Sequence, residues 1–139
     1  MEDLLKVCRR ARAWAKRHPR CEDGDLLGWC GICSLRIFSS LRWMGKKPRF
    51  VMINNPYSNN ESHCAVLCDD YLLDVTATQF DMPRSVYVVP KIELEDLEYD
   101  RWFWNYRIAC FIGTTTKSIK KQFKYWPCEQ DPFRFNKLS

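Results

Sequence analysis

The spacing of hydrophobic residues along the chain predicts three helices. In residues 3–17 the apolar positions recur at helical spacing and form one stripe, made up of Leu4, Cys8, Ala11 and Ala15. Residues 30–44 are apolar on most sides, which is typical of a buried helix, at Ile32, Leu35, Ile37, Phe38, Leu41 and Met44. A third helix is predicted from about residue 115 to 126, with one face formed by Ile119, Phe123 and Trp126.

The middle of the chain has short apolar runs separated by turn-forming residues, which predicts β-strands. Strands are expected at 49–53, 63–68, 71–76 and 85–89, and residues 102–112 fit a strand or a helix. Polar loops are expected at 18–28 and 54–60. The order of elements predicts an α+β fold, with the chain 1–139 as a single domain and helix 30–44 packed on an antiparallel sheet of four or more strands.

The Asp69-Asp70 pair separates two predicted strands and is read as a two-residue turn. This turn fixes the pairing of the hairpin, with Cys68 opposite Tyr71, Ala65 opposite Asp74, and His63 opposite Thr76. His63 and Asp74 would then be diagonal neighbours on one face, with Cβ atoms no more than about 7–8 Å apart. We expect this face, which also carries Ala65, Leu67 and Leu72, to pack against helix 30–44. Because the hairpin is apolar on both faces, it belongs in the middle of the sheet.

Cys30 is the first residue of the second predicted helix, and together with His63 and Asp74 it suggests a catalytic site. The dipoles and free N–H groups of a helix N-terminus favour a thiolate and can bind a developing oxyanion. A thiol nucleophile also needs a base, and the base needs an orienting group. Cys30, His63 and Asp74 supply these three groups in chain order, whereas Cys33 lies one turn inside the helix.

Composition and charge indicate where the protein is located and what it could bind. The chain is 46% apolar with six Trp and eight Cys, and no apolar stretch is long enough to span a membrane. No secretory signal is evident, so we expect a cytoplasmic protein with free thiols, while delivery into another cell stays open. The net charge is +5, with basic residues gathered in 9–20 and 117–124. These read first as solvated helix faces that could select an acidic partner; without a recognised motif, nucleic acid is not expected.

Three segments resemble the papain-like and transglutaminase-like cysteine enzymes, especially small bacterial and phage-borne members. Residues 28–34, Gly-Trp-Cys-Gly-Ile-Cys-Ser, look like the nucleophile helix. Residues 62–66, Ser-His-Cys-Ala-Val, look like the strand that bears the general base. Residues 71–80 are similar to the "D-x-T-A-x-Q-F" segment that bears the third triad residue. The resemblance covers about residues 26–81 and implies catalysis by Cys30, His63 and Asp74.

The family implies amide chemistry on a protein or peptide substrate, through a thioester and without a metal or other cofactor. Peptide hydrolysis, glutamine or asparagine deamidation and transamidation all fit. Papain itself has a Gln shortly before the nucleophile, whereas this chain has Asp23-Gly24-Asp25 there. The backbone N–H of Cys30 is the expected oxyanion donor, with Trp29 or Gln79 as the second.

Other functions use the same residues. Cys30 and Cys33 after Trp29 resemble the thioredoxin redox motif, which requires a buried strand just before it and leaves His63 and Asp74 without a role. A zinc site is a second alternative, with ligands drawn from Cys30, Cys33, His63, Cys64 and Cys68. A binding module that keeps the fold without catalysis is a third.

Overall fold

The computed structural model describes residues 1–18, 29–54, 62–80, 84–90 and 110–123. In these ranges the helices are α1 (Glu2–Arg17), α2 (Cys30–Trp43) and α3 (Thr116–Phe123). The strands are β1 (Arg49–Asn54), β2 (Ser62–Cys68), β3 (Tyr71–Asp74), β4 (Tyr87–Pro90) and β5 (Cys110–Gly113). A short 3₁₀ helix, Ala77–Phe80, follows β3. Outside the described residues lie most of the predicted loops 18–28 and 54–60, residues 91–109 and the end of the predicted third helix.

The described strands form one sheet in the order β4-β3-β2-β1-β5, and each neighbouring pair is antiparallel. The α+β class and the antiparallel sheet of at least four strands are therefore confirmed. The β2–β3 hairpin lies inside the sheet, as its two apolar faces predicted. Strand β3 ends at Asp74, two residues earlier than expected, because the chain bends at Val75 and enters the 3₁₀ helix.

The β2–β3 turn has the predicted length and register. Asp69 and Asp70 both adopt positive φ, 52° and 64°, which is the geometry of the two-residue turns that match strand twist. Asp tolerates this region better than most residues because its short side chain can bond locally. The observed pairs are Val66 with Leu73, Leu67 with Leu72, and Cys68 with Tyr71.

One layer of α1 and α2 packs against the sheet. The predicted stripe of α1 is buried, and most of α2 is buried as well. These helices share a hydrophobic cluster with the sheet residues Phe50, Cys64, Val66, Cys68, Leu73 and Val75. Ala65, Leu67 and Leu72 lie outside this cluster, so the expectation that they pack against α2 is wrong, although His63 at the start of β2 does interact with Cys30 at the start of α2. Because both faces of the hairpin are apolar, side-chain character alone did not distinguish them.

Two apolar residues near the end of α2 also differ from expectation. Residues 30–44 were predicted as a buried helix, but Trp43 within it is 93% exposed and Met44 is 46% exposed. Helix α2 ends at Trp43, and the chain turns at Gly45, whose φ is +82°.

The connectivity brings three element ends together. Chain direction reverses between α2 and β1 and again between β1 and β2, so the start of α2 lies at the same end of the molecule as the start of β2. Strand β3 finishes at that end because it is antiparallel to β2. No helix in the described ranges is long and apolar enough to cross a membrane.

Candidate functional site

A buried ion pair forms the centre of this end of the molecule. His63 Nε2 lies 2.6 Å from Asp74 Oδ2, and both side chains are 1% exposed. His63 is the second residue of β2 and Asp74 the last of β3, so the hairpin register brings them together. The prediction that they share a face within side-chain reach is confirmed. A contact this short and this dry is a charge-assisted hydrogen bond rather than a surface ion pair.

The chain just after β3 satisfies the other carboxylate oxygen. The backbone N–H of Thr76 donates to Asp74 Oδ1 at 2.9 Å, and the Thr76 hydroxyl lies 3.4 Å from the same atom. Thr76 is itself buried. These bonds favour the ionised carboxylate and hold its plane toward the imidazole. Thr76 belongs to the segment that resembled the third triad motif, but its part in orienting Asp74 was not foreseen.

The carboxylate changes the acid–base behaviour of the imidazole. Burial alone would lower the pKa of His63, but the adjacent charge and hydrogen bond of Asp74 outweigh it and raise that pKa well above 6.5. A hydrogen bond and charge interaction with Cys30 act in the same direction. The thiol, imidazole and carboxylate therefore form one connected chain.

Cys30 begins α2, as predicted, and is buried at 5% exposure. The preceding residue, Trp29, is the N-cap, and its own side chain makes no capping hydrogen bond. The first helical backbone bond runs from Cys33 N–H to Trp29 carbonyl at 3.0 Å. The backbone N–H groups in the first turn of a helix point out of its N-terminus, which here is the end that carries Cys30.

The two expected oxyanion donors lie in different surroundings. The Gln79 amide nitrogen is 3.4 Å from His63 Nδ1 and 3.3 Å from the Thr76 hydroxyl, so Gln79 lies beside the reactive groups. The Trp29 ring is buried and packs against Trp14 and His18, with ring centroids 6.3 Å and 5.3 Å away. Gln79 is therefore the better-placed side chain, and Trp29 anchors the start of α2 to α1.

Arg12 of α1 also supports the site, although its charge suggested only a solvated helix face. Its Nη1 donates to the Val75 carbonyl at 2.6 Å, and the Thr78 hydroxyl and Ser85 carbonyl lie 3.2 and 3.3 Å from it. These contacts join α1 to the segment that carries Thr76 and Gln79. No local motif identifies this role, since the partners are more than 60 residues away in sequence.

Further cysteines near the site behave as buried core residues. Burial, with a smaller contribution from the charge of Asp74, raises the pKa of Cys8 to about 12, so this thiol stays protonated. The described cysteines are buried and form no disulfide: Cys8, Cys30, Cys33, Cys64 and Cys68. Within the described part of the chain, no three His, Cys, Asp or Glu side chains form a group that could hold a metal ion.

Comparison with known proteins found no match to any family model, curated protein or solved structure. The functional proposal therefore depends on the geometry of the site and on the sequence motifs.

The first prediction concerns the protonation of His63. We expect its imidazole to remain charged at pH 8, because the Asp74 carboxylate favours the cation more than burial opposes it. The stability that this pair contributes is then full below about pH 6.5 and is lost as pH rises through the raised pKa. NMR titration of the ring protons measures this directly, and His18, the second histidine of the chain, is assigned with His18→Gln.

Asp74→Asn is the matched variant for this titration. It keeps the size and burial of the side chain and removes the charge, so the pKa of His63 should fall below 6.5. A wild-type His63 that is already neutral at pH 7 would contradict the ion pair.

The second prediction concerns Arg12. Arg12→Met should lower the free energy of unfolding by about 1–3 kcal/mol, because the Val75 carbonyl loses a charged donor. Amide hydrogen exchange at Thr76 and Gln79 should accelerate. Arg9→Met is the control, since Arg9 is exposed on the same helix, and its effect should stay within about 0.5 kcal/mol. Equal urea-denaturation curves for the two variants would show that Arg12 does not hold the segment.

Proposed function

We propose that this protein is a cysteine-dependent amide-bond enzyme of the papain-like and transglutaminase-like type. Cys30 is the nucleophile, His63 the general acid and base, and Asp74 the group that orients and charges the imidazole. The observation that carries the proposal is the connected chain from the Cys30 thiol through His63 to the Asp74 carboxylate, buried at a helix N-terminus. Such a constellation is defined by geometry and roles rather than by fold.

The first half of the reaction forms a thioester. In the resting enzyme the imidazole of His63 already carries the proton of Cys30, and the Cys30 thiolate attacks the carbon of a carboxamide or peptide carbonyl. The resulting oxyanion is stabilised by N–H groups at the start of α2, with the Gln79 amide as a second donor. His63 then gives its proton to the departing nitrogen, so that ammonia or an amine leaves and the acyl group stays on sulfur.

The second half depends on the acceptor. Water attack on the thioester, with its proton taken by His63, gives a carboxylic acid and restores the thiol. This outcome is peptide hydrolysis or side-chain deamidation, according to which amide was attacked. Attack by a primary amine instead gives a new amide and is transamidation. The substrate is a protein or peptide in each case.

The arrangement of elements supports the family proposal. The nucleophile helix packs on a central antiparallel sheet. The general base His63 and the orienting carboxylate of Asp74 come from adjacent strands of that sheet. The motif segments identified in the sequence fall on the N-terminus of α2, on β2, and on the end of β3 with its 3₁₀ helix. The strand required before a thioredoxin motif would lie outside the described residues, and the zinc alternative has no described ligand cluster.

The third prediction tests the nucleophile. At pH 7, iodoacetamide should alkylate Cys30 at least about a hundredfold faster than Cys8, because the Cys8 thiol stays protonated and buried. His63→Ala should slow the reaction of Cys30 at least about tenfold, since the charged imidazole no longer favours the thiolate. Peptide mapping by mass spectrometry gives the rate at each cysteine.

Cys33→Ser is the control for the redox alternative. A redox pair would lose its function with either cysteine, whereas the proposed nucleophile should keep its alkylation rate without Cys33. Equal rates at Cys30 and Cys8, or no effect of His63→Ala, would refute the proposed function. Incubation with dimethylated casein, with and without a dansylated primary amine, distinguishes cleavage, a mass gain of about one dalton, and amine addition.

A further inference from the structure

A groove of about 690 Å³ runs between α1 and α2 on the side of the helix layer that faces away from the sheet. Its floor contains the aliphatic side chains of Val7 and Ala11, and at one end lie the exposed Trp43 and Met44. The Trp43 indole is 93% exposed and lies beside Met44 and the aliphatic floor, so the apolar surface here is contiguous rather than a single exposed side chain. The groove therefore offers an apolar contact area to another molecule.

The same groove is lined by positive charge. On α1, Arg10, Trp14 and Arg17 follow one another at intervals of four and three residues and so share one face. On α2, Arg36 faces them, and its guanidinium stacks on the Trp14 ring at 4.2 Å. None of the described lining residues is acidic. Arg10 and Arg17 are two helical turns apart, about 10 Å along the helix.

The groove leads toward the proposed nucleophile. The helices run antiparallel, so the C-terminal part of α1 lies beside the start of α2, and the rings of Trp14 and Trp29 are in contact at 6.3 Å. Trp29 directly precedes Cys30. A chain lying in the groove with its far end at Trp43 therefore has its near end at Trp14, one aromatic ring from the N-terminus of α2.

We propose that this groove is a docking site for an acidic segment of a protein substrate, in which carboxylates alternate with apolar side chains. The carboxylates would pair with Arg10, Arg17 and Arg36, and the apolar side chains would contact Trp43 and the aliphatic floor. The identity of this segment as substrate rests on the proposed function, whereas the binding itself does not. A peptide fits better than nucleic acid, because a charged phosphate backbone would not pack against the aliphatic floor, whereas apolar side chains of a peptide would.

The fourth prediction is tested by fluorescence anisotropy with the Cys30→Ser protein, which binds without turnover. The probe is a fluorescein-labelled peptide of alternating glutamate and leucine with one central phenylalanine. We expect saturable binding that weakens with added salt. Arg10→Glu should weaken it about fivefold or more, and Trp43→Ser about tenfold.

Arg9→Glu is the matched control, because it makes the same charge change at the adjacent position of α1, outside the groove. It should change binding by less than about twofold. Peptides with glutamine for glutamate, or serine for the apolar residues, should each bind more weakly. Equal effects of Arg9→Glu and Arg10→Glu, or binding that Trp43→Ser leaves unchanged, would overturn the proposal.

Two further measurements distinguish a peptide groove from a nucleic-acid groove, and the docking proposal from the enzyme proposal. If an oligothymidylate binds more tightly than the peptide, the groove is a nucleic-acid site and the peptide proposal is wrong. Iodoacetamide alkylation of Cys30 should be unchanged in Arg10→Glu and Trp43→Ser proteins. Failed peptide binding with normal alkylation therefore rejects the docking site alone, whereas failed alkylation with normal binding rejects the enzyme.

Discussion

The buried contact between His63 and Asp74 imposes the strictest requirement on this structure. A carboxylate and an imidazolium removed from water each lose several kcal/mol of hydration unless they are paired and fully hydrogen-bonded. The surroundings meet that requirement: the backbone N–H of Thr76 bonds the second oxygen of Asp74, and Cys30 forms a hydrogen bond with the imidazole. Among the described residues, no buried side-chain nitrogen or oxygen lacks a hydrogen-bond partner.

The other elements can be understood as supports for this pair. The Asp69-Asp70 turn sets the register that places His63 beside Asp74, and the end of β3 releases the chain so that Thr76 can turn back to the carboxylate. Arg12 fixes that released segment to α1, while the contact of Trp14 with Trp29 fixes the start of α2 to the same helix. Helix α1 therefore stabilises the positions of both the thiol and the carboxylate, although it supplies neither.

The sequence was most informative where one local feature determines geometry. A two-residue turn leaves one register for β2 and β3, so the meeting of His63 and Asp74 could be predicted before the structure was known. The hairpin face that meets the helices could not be predicted, because both faces are equally apolar. One face carries Cys64, Val66 and Leu73, and the other carries Ala65, Leu67 and Leu72. The exposure of Trp43 and the role of Arg12 were also missed. The contacts of Arg12 and the exposure of Trp43 depend on how elements distant in sequence pack together. Hydrophobic periodicity along one element does not predict such packing.

The central claim is that Asp74 charges His63 and that the charged imidazole holds Cys30 as a thiolate. The most direct measurement is the ultraviolet absorbance of the thiolate near 240 nm, taken as the difference between wild type and Cys30→Ser across pH. The account predicts a thiolate signal at neutral pH that disappears in His63→Ala and weakens strongly in Asp74→Asn. A difference signal that emerges only near pH 9, with the same midpoint in all three backgrounds, would contradict it.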